Sequence, residues 1–282
     1  MKTYVFPGQG SQKKGMGDYL FDKYNDFTDK ADQILDYSIK ELCLYDPLSR
    51  LKSTKYTQPA MFVVNILHYL QRLEETSLKP DFLAGHSLGE YCALFAAGVF
   101  DFEDGLRLVK KRGELMDQLS GGGMVVVIGL DEFEIQQIIR ENDLANISIA
   151  NYNSPSQFVI AGPSEDLIKA KSIFKNAGAM LYIPLNVGGA FHTRYMESVQ
   201  NVFEQYIEAF EFSDLKISVI ANVTGKPYRN EEIKRNLVYQ IARPVLWVDS
   251  IRYLVRIDNM SFEEIGPGNV LKNLINKIID KG

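Results

Sequence analysis

The chain has 282 residues, of which 46% are hydrophobic and 24% charged, with a formal net charge of −5. That is ordinary globular composition with ample length for a core. The acidic balance gives no electrostatic grip on nucleic acid or an anionic membrane, and no apolar run approaches the roughly 18 residues of a membrane span.

The first predicted strand, Tyr4-Val5-Phe6, runs into Pro7-Gly8-Gln9-Gly10-Ser11-Gln12, a tight loop at a strand end. Met1-Lys2-Thr3 enters that strand directly, so no signal segment is expected. Helices are predicted near 16–24, 27–37 and 59–73, then a strand at Phe82-Leu83-Ala84, and helices near 88–98 and 102–119. Gly121-Gly122-Gly123 marks a break. After it the pattern reads strand (124–128), helix (132–141), strands (147–150 and 157–161), helix (164–176) and strand (180–184). This is the ferredoxin-like order, and it predicts a small domain over 124–188 inserted in a larger one made of 1–123 and 189–282. A helix to about 210, a strand at 216–220, helices near 231–241 and 247–256, a strand at 261–265 and a helix from about 268 follow. Cys43 and Cys92 lie in helix-like stretches without metal-ligand spacing. Two free thiols and no metal site are therefore expected, which fits a reducing cytoplasm.

Between the 82–84 strand and the next helix stands Gly85-His86-Ser87-Leu88-Gly89. Strand, G-x-S-x-G, helix is the nucleophile elbow, in which a sharp turn pushes a serine hydroxyl out of the sheet. The helix N-terminus behind it offers free N–H groups to a developing oxyanion. The chain has three histidines. His86 adjoins Ser87 and should point away from it, and His68 lies in an apolar helical run and reads as structural. His192, in Gly189-Ala190-Phe191-His192, is then the predicted base. No Asp or Glu stands in a motif that would orient it. A backbone carbonyl can fix the imidazole tautomer, and a distant carboxylate remains the other option.

On the 102–119 helix, Arg112 falls among Leu108, Val109, Leu115 and Met116, on the apolar side. A guanidinium there is costly unless it meets an anion or several acceptors. One reading is an internal salt bridge; the other is a fork gripping a substrate carboxylate.

Together with Gly266-Pro267-Gly268, Asn151-Tyr152-Asn153-Ser154-Pro155 and Gln240 with Pro244-Val245, these motifs resemble malonyl-CoA:acyl carrier protein transacylases over essentially the whole chain. The resemblance implies an α/β-hydrolase-like large domain with an inserted ferredoxin-like small domain. It also implies an S-malonyltransferase using Ser87 as acylated nucleophile and His192 as base. The N–H groups of Gln9 and Leu88 would form the oxyanion hole, and Arg112 would hold the malonyl carboxylate with Phe191 and Met116 alongside. The Gln240 carbonyl would orient His192, and Asn151 and Asn153 would support the site. The resemblance further implies no permanently bound cofactor, with malonyl-CoA entering as substrate. The partners implied are an acyl carrier protein bearing phosphopantetheine, and polyketide synthase modules. Lys272-Asn273 departs from the family's Thr-Gly after the leucine and is assigned no catalytic meaning.

The chain length is expected to exclude a domain embedded in a large synthase. That leaves fatty acid synthesis or a discrete acyltransferase serving modular polyketide synthases in trans. Phe82 to Ser87 with Ala93 to Gly98, and Ala190 to Met196, resemble the trans-acting group more closely. An acyl hydrolase of the same fold, clearing carrier proteins, is the alternative; its relatives lack the arginine, so Arg112 argues against it.

Overall fold

Eight strands are distributed over two sheets in the computed structural model, which describes residues 1–76 and 79–280. They are β1 (Lys2–Phe6), β2 (Phe82–Gly85), β3 (Gly122–Ile128), β4 (Ser148–Ser154), β5 (Gln157–Pro163), β6 (Leu181–Pro184), β7 (Ser218–Ile220) and β8 (Ser261–Glu264). The boundary predicted at 282 lies outside the described residues.

The first sheet is parallel, in the order β7-β2-β1-β8. Alternation along its strands sends side chains to both faces. Tyr4, Phe6, Leu83 and Val219 enter one core, which includes Phe62, Val63 and Leu94 of the flanking helices. Val5, Ala84 and Ile220 enter the other, with Trp247, Ile251 and Leu274. Each of the larger aliphatic and aromatic side chains contributes about 1.5–3 kcal/mol by leaving water, so both faces of the sheet are held. Phe6 pairs with Gly85, which brings the turns after β1 and β2 side by side. In open parallel sheets that carboxyl end is where ligands bind.

The second sheet is antiparallel, in the order β4-β5-β3-β6, the ferredoxin-like arrangement expected from the element order. Its two helices match their predicted spans, Glu132–Glu141 and Ser164–Asn176. The former starts on a reciprocal cap between Asp131 and Glu134. One face of the sheet packs under these helices through Val125, Val127, Phe158 and Ile160. The other, through Met124, Ala150, Val159 and Ala161, joins the first sheet's core.

Some elements differ from the expectation. Residues 151–156 do not merely connect two strands: β4 continues to Ser154 because its outer edge is paired. The Tyr152 N–H donates to the Val245 carbonyl and the Val245 N–H to the Ala150 carbonyl, both at 2.9 Å. A helix at Ile39–Tyr45 was not expected; the Ser38 side chain caps it by accepting from the Glu41 N–H at 3.2 Å. Only Leu20–Lys23 is α-helical in the 16–24 segment. The helix after His192 begins as a 3-10 turn at Arg194–Met196 and is α-helical over Glu197–Ile207.

Candidate active site

The elbow is built from backbone in contact with backbone. A Cβ on Gly85 would fall 1.9 Å from the carbonyl carbon of Gly89, and one on Gly89 would fall 2.0 Å from the carbonyl oxygen of Phe6. Only glycine lets strand, turn and helix pass this closely. Between them Ser87 adopts left-handed backbone, φ +52°, a conformation costing a non-glycine residue about 1–3 kcal/mol. Asn222, buried after β7, holds it there. Its Oδ1 accepts from the Ser87 N–H at 2.7 Å, and its Nδ2 donates to the Gly85 carbonyl at 2.6 Å.

Ser87 Oγ lies 2.8 Å from His192 Nε2, and His192 Nδ1 lies 2.6 Å from the Gln240 carbonyl oxygen. A carbonyl only accepts, so Nδ1 carries the proton and the Nε2 lone pair faces the serine. Of the two options left open by the sequence, the backbone carbonyl is the one observed. His192 is buried, in left-handed backbone (φ +61°), with its N–H donating to the Ile241 carbonyl at 3.1 Å. Burial first, and then the charge of Arg112, push its pKa down to about 3, against the Gln240 hydrogen bond that raises it. The resting imidazole is therefore neutral and able to take a proton.

Arg112 is 1% exposed on the inner side of the Phe102–Asp117 helix. Nη1 donates to Gln58 Oε1 at 2.5 Å; Nη2 donates to Gln240 Oε1 at 2.8 Å and to Ser87 Oγ at 3.2 Å. All these partners are neutral, Nε has none, and no ion pair forms on Arg112 among the described residues. The internal salt bridge weighed for it is not there. The guanidinium lies over the Tyr91 ring, 5.7 Å from its centroid. Met116 Sδ accepts from Gln58 Nε2 at 3.4 Å and so steadies the amide that holds Nη1.

The remaining predicted residues surround this centre. Leu88 starts the helix behind the serine, and a Cβ on Gly8 would lie 3.6 Å from its nitrogen, so the Gln9 and Leu88 turns adjoin. Gln9 Oε1 accepts from Thr54 Oγ1 at 3.1 Å. Phe191 is buried and, with Met116, Thr54 and Lys52, lines a cavity of about 110 Å³. Asn151 is buried where β4 meets Val245, and Asn153 Oδ1 lies 2.8 Å from His86 Nε2. That contact turns His86 away from the serine, as expected, with its ring edge-on to Trp247. His68 is half-buried on the Thr54–Glu75 helix, and burial lowers its pKa. No cluster of metal-ligating side chains occurs among the described residues.

Gln58, Asn222, Glu90, Tyr228 and the side chain of Gln240 were not anticipated. Glu90 is fully buried; its Oε1 accepts from the Tyr228 hydroxyl at 2.7 Å and the Asn222 N–H at 2.8 Å, and its Oε2 from Gln240 Nε2. Gln240 Nε2 also donates to the Ser87 carbonyl at 2.8 Å. The available signal was of the kind that exposed Arg112: Glu90 opens an apolar helix, and Gln58 precedes Pro59-Ala60-Met61-Phe62.

The acyl transferase domain family matches residues 3–280. The polyketide biosynthesis malonyl CoA-acyl carrier protein transacylase PksC of Bacillus subtilis is 53% identical over 279 residues, covering 99% of this chain and 97% of that protein. The polyketide biosynthesis protein PksE of the same organism is 54% identical over 279 residues, covering 99% of this chain. The chain spans only 36% of PksE's length, so the expectation that length excludes an embedded domain fails. Among solved structures, malonyl CoA-acyl carrier protein transacylase from Burkholderia pseudomallei superposes with a TM-score of 0.98 at 44% identity, over 100% of this chain and 99% of that one. With its elbow serine, its inserted antiparallel sheet and these relatives, the chain belongs to the acyl transferase domain family.

Proposed function

We propose that the protein transfers a malonyl group from malonyl-CoA to the phosphopantetheine thiol of an acyl carrier protein. The observation that carries this reading is Arg112: a buried cation, unpaired with any acid, 3.2 Å from the serine hydroxyl. A donor with a free carboxylate next to its thioester supplies the missing anion. Phe191 and Met116 line the cavity of about 110 Å³, and Met116 also touches the Gln58 amide that holds Nη1. A hydrolase of plain acyl chains has no use for such a group.

Ser87 Oγ attacks the thioester carbonyl carbon while His192 Nε2 takes the hydroxyl proton. The oxyanion is received by the N–H groups of Leu88 and Gln9. Collapse breaks the C–S bond, and the proton on His192 goes to the departing CoA sulfur. The carrier thiol then gives its proton to His192, attacks the Ser87 ester and leaves with the malonyl group. Gln240 keeps the imidazole oriented throughout, and Asn151 and Asn153 brace the neighbouring strand and His86.

Residues 124–188 form the inserted domain in this reading, and 1–123 with 189–282 the large one. Service to polyketide synthase modules is supported by the likeness to PksC. A cytoplasmic location is supported by two buried free thiols, Cys43 and Cys92. Intact-mass analysis after mixing with malonyl-CoA tests the mechanism: a single malonyl adduct is expected, lost in Ser87→Ala. Unmodified protein under turnover conditions refutes it.

A further inference from the structure

Glu90 is an ionisable group of this site to which the transfer steps give no task. It is fully buried at the start of the helix behind Ser87, and its carboxylate collects donors from Tyr228, Asn222 and Gln240. An ionised carboxylate only accepts, so it dictates which end of the Gln240 amide faces it. Nε2 must point to Glu90 and to the Ser87 carbonyl, and Oε1 is then turned to Arg112 Nη2 at 2.8 Å. The reversed amide would set N–H against guanidinium N–H, and a carbonyl oxygen against both a carboxylate and another carbonyl.

We propose that Glu90 is a positioning residue for malonyl selection: by accepting from Gln240 Nε2, its carboxylate fixes the polarity of that amide and so aims the Arg112 guanidinium into the pocket. This rests on the malonyl-transfer reading above. The titratable and charged groups facing Glu90 are the Tyr228 hydroxyl, the neighbouring Tyr91 and the Arg112 guanidinium; Asn222 and Gln240 are neutral. Burial pushes the Glu90 carboxyl up to about 7 against the donors and the Arg112 charge, which lower it. Its ionisation therefore changes around neutral pH. Once protonated, the carboxyl can donate to a flipped Gln240 Oε1, and the amide loses its enforced direction. Malonyl transfer, which needs the aimed guanidinium, then falls. Acetyl transfer leaves the carboxylate subsite empty and does not sense the flip.

The test is kcat/KM for malonyl-CoA and for acetyl-CoA across pH, in the wild type, Glu90→Gln and Tyr228→Phe, with a melting temperature for each. The wild-type malonyl-to-acetyl ratio should rise with pH through a midpoint at about 7. Glu90→Gln should lower the ratio about ten- to a hundredfold and flatten its pH dependence. Tyr228→Phe, with one donor fewer on the carboxylate, should move the midpoint to higher pH. An unchanged ratio in Glu90→Gln, or equal losses on both substrates, overturns the proposal. If Glu90→Gln does not fold, the wild-type midpoint and its displacement in Tyr228→Phe decide alone. A wild type that transfers no malonyl overturns the functional reading instead.

Discussion

Nη2 of Arg112 reaches to 3.2 Å from Oγ of Ser87, and the guanidinium behind it is held by amide oxygens of Gln58 and Gln240 rather than by an acid. In the proposed reaction the malonyl carboxylate is the anionic partner of that cation. Arg112→Ala should therefore cost malonyl transfer about 2–4 kcal/mol in kcat/KM, roughly thirty- to a thousandfold, with acetyl transfer losing far less. Arg112→Lys should restore only part, since an ammonium cannot span Gln58, Gln240 and a substrate carboxylate as the planar fork does. Both donors assayed side by side, with melting temperatures, check this; equal losses on both would show a purely structural arginine.

His192→Ala should reduce acyl transfer by about two to four orders of magnitude, the range for a lost general base. His68→Ala should touch stability alone. With its pKa pushed down to about 3, His192 stays neutral through mildly acidic solution. On acetyl-CoA, which bypasses the Arg112 subsite, the acid limb of kcat/KM should lie well below the usual histidine range. An acid limb near the usual histidine value of about 6.5 would refute a buried, arginine-facing base.

Asn222→Ala removes both side-chain clamps on the elbow and leaves the Ser87 N–H without its acceptor. The expected loss is about 1–3 kcal/mol in stability, the cost of a buried donor left unmade. Turnover should fall alike for both donors, because the serine's left-handed backbone relaxes. Denaturant unfolding with parallel kinetics reads both; stability lost with turnover intact would mean that the elbow holds itself.

Stability should show two opposed pH dependences. The depressed His192 contributes stability above its unfolded value of 6.5 that is lost as pH falls towards about 3. The raised Glu90 contributes stability below its unfolded value of 4.5 that is lost as pH rises towards about 7. Between 4.5 and 6.5 the two slopes oppose each other and flatten the profile. Below that window His192 acts alone and the protein weakens. Denaturant midpoints against pH should show the acid loss shrinking in His192→Ala and the loss towards neutrality shrinking in Glu90→Gln; unaltered profiles would contradict both shifts.

The chemistry legible in the sequence was the part written locally. The elbow is five consecutive residues whose glycines answer to contacts made within the turn and with the strand beside it. Arg112 betrayed itself by periodicity alone, a charge on the apolar side of one helix. The ferredoxin-like order followed from element succession. What escaped depends on pairing across distance. Asn222 reaches Ser87 over 135 positions, and Gln240 reaches it over 153. No local pattern reports such bonds. The extension of β4 had the same cause, since Val245 supplies the partner that keeps Asn151 and Tyr152 in strand geometry.

Two backbone hydrogen bonds join β4 to Val245, a few residues beyond the carbonyl that steers His192. The antiparallel sheet is therefore sewn to the same stretch of chain that sets the tilt of the imidazole. A shift of the outer edge of that sheet must therefore carry Val245 with it or break both bonds, five positions from the carbonyl that holds the imidazole.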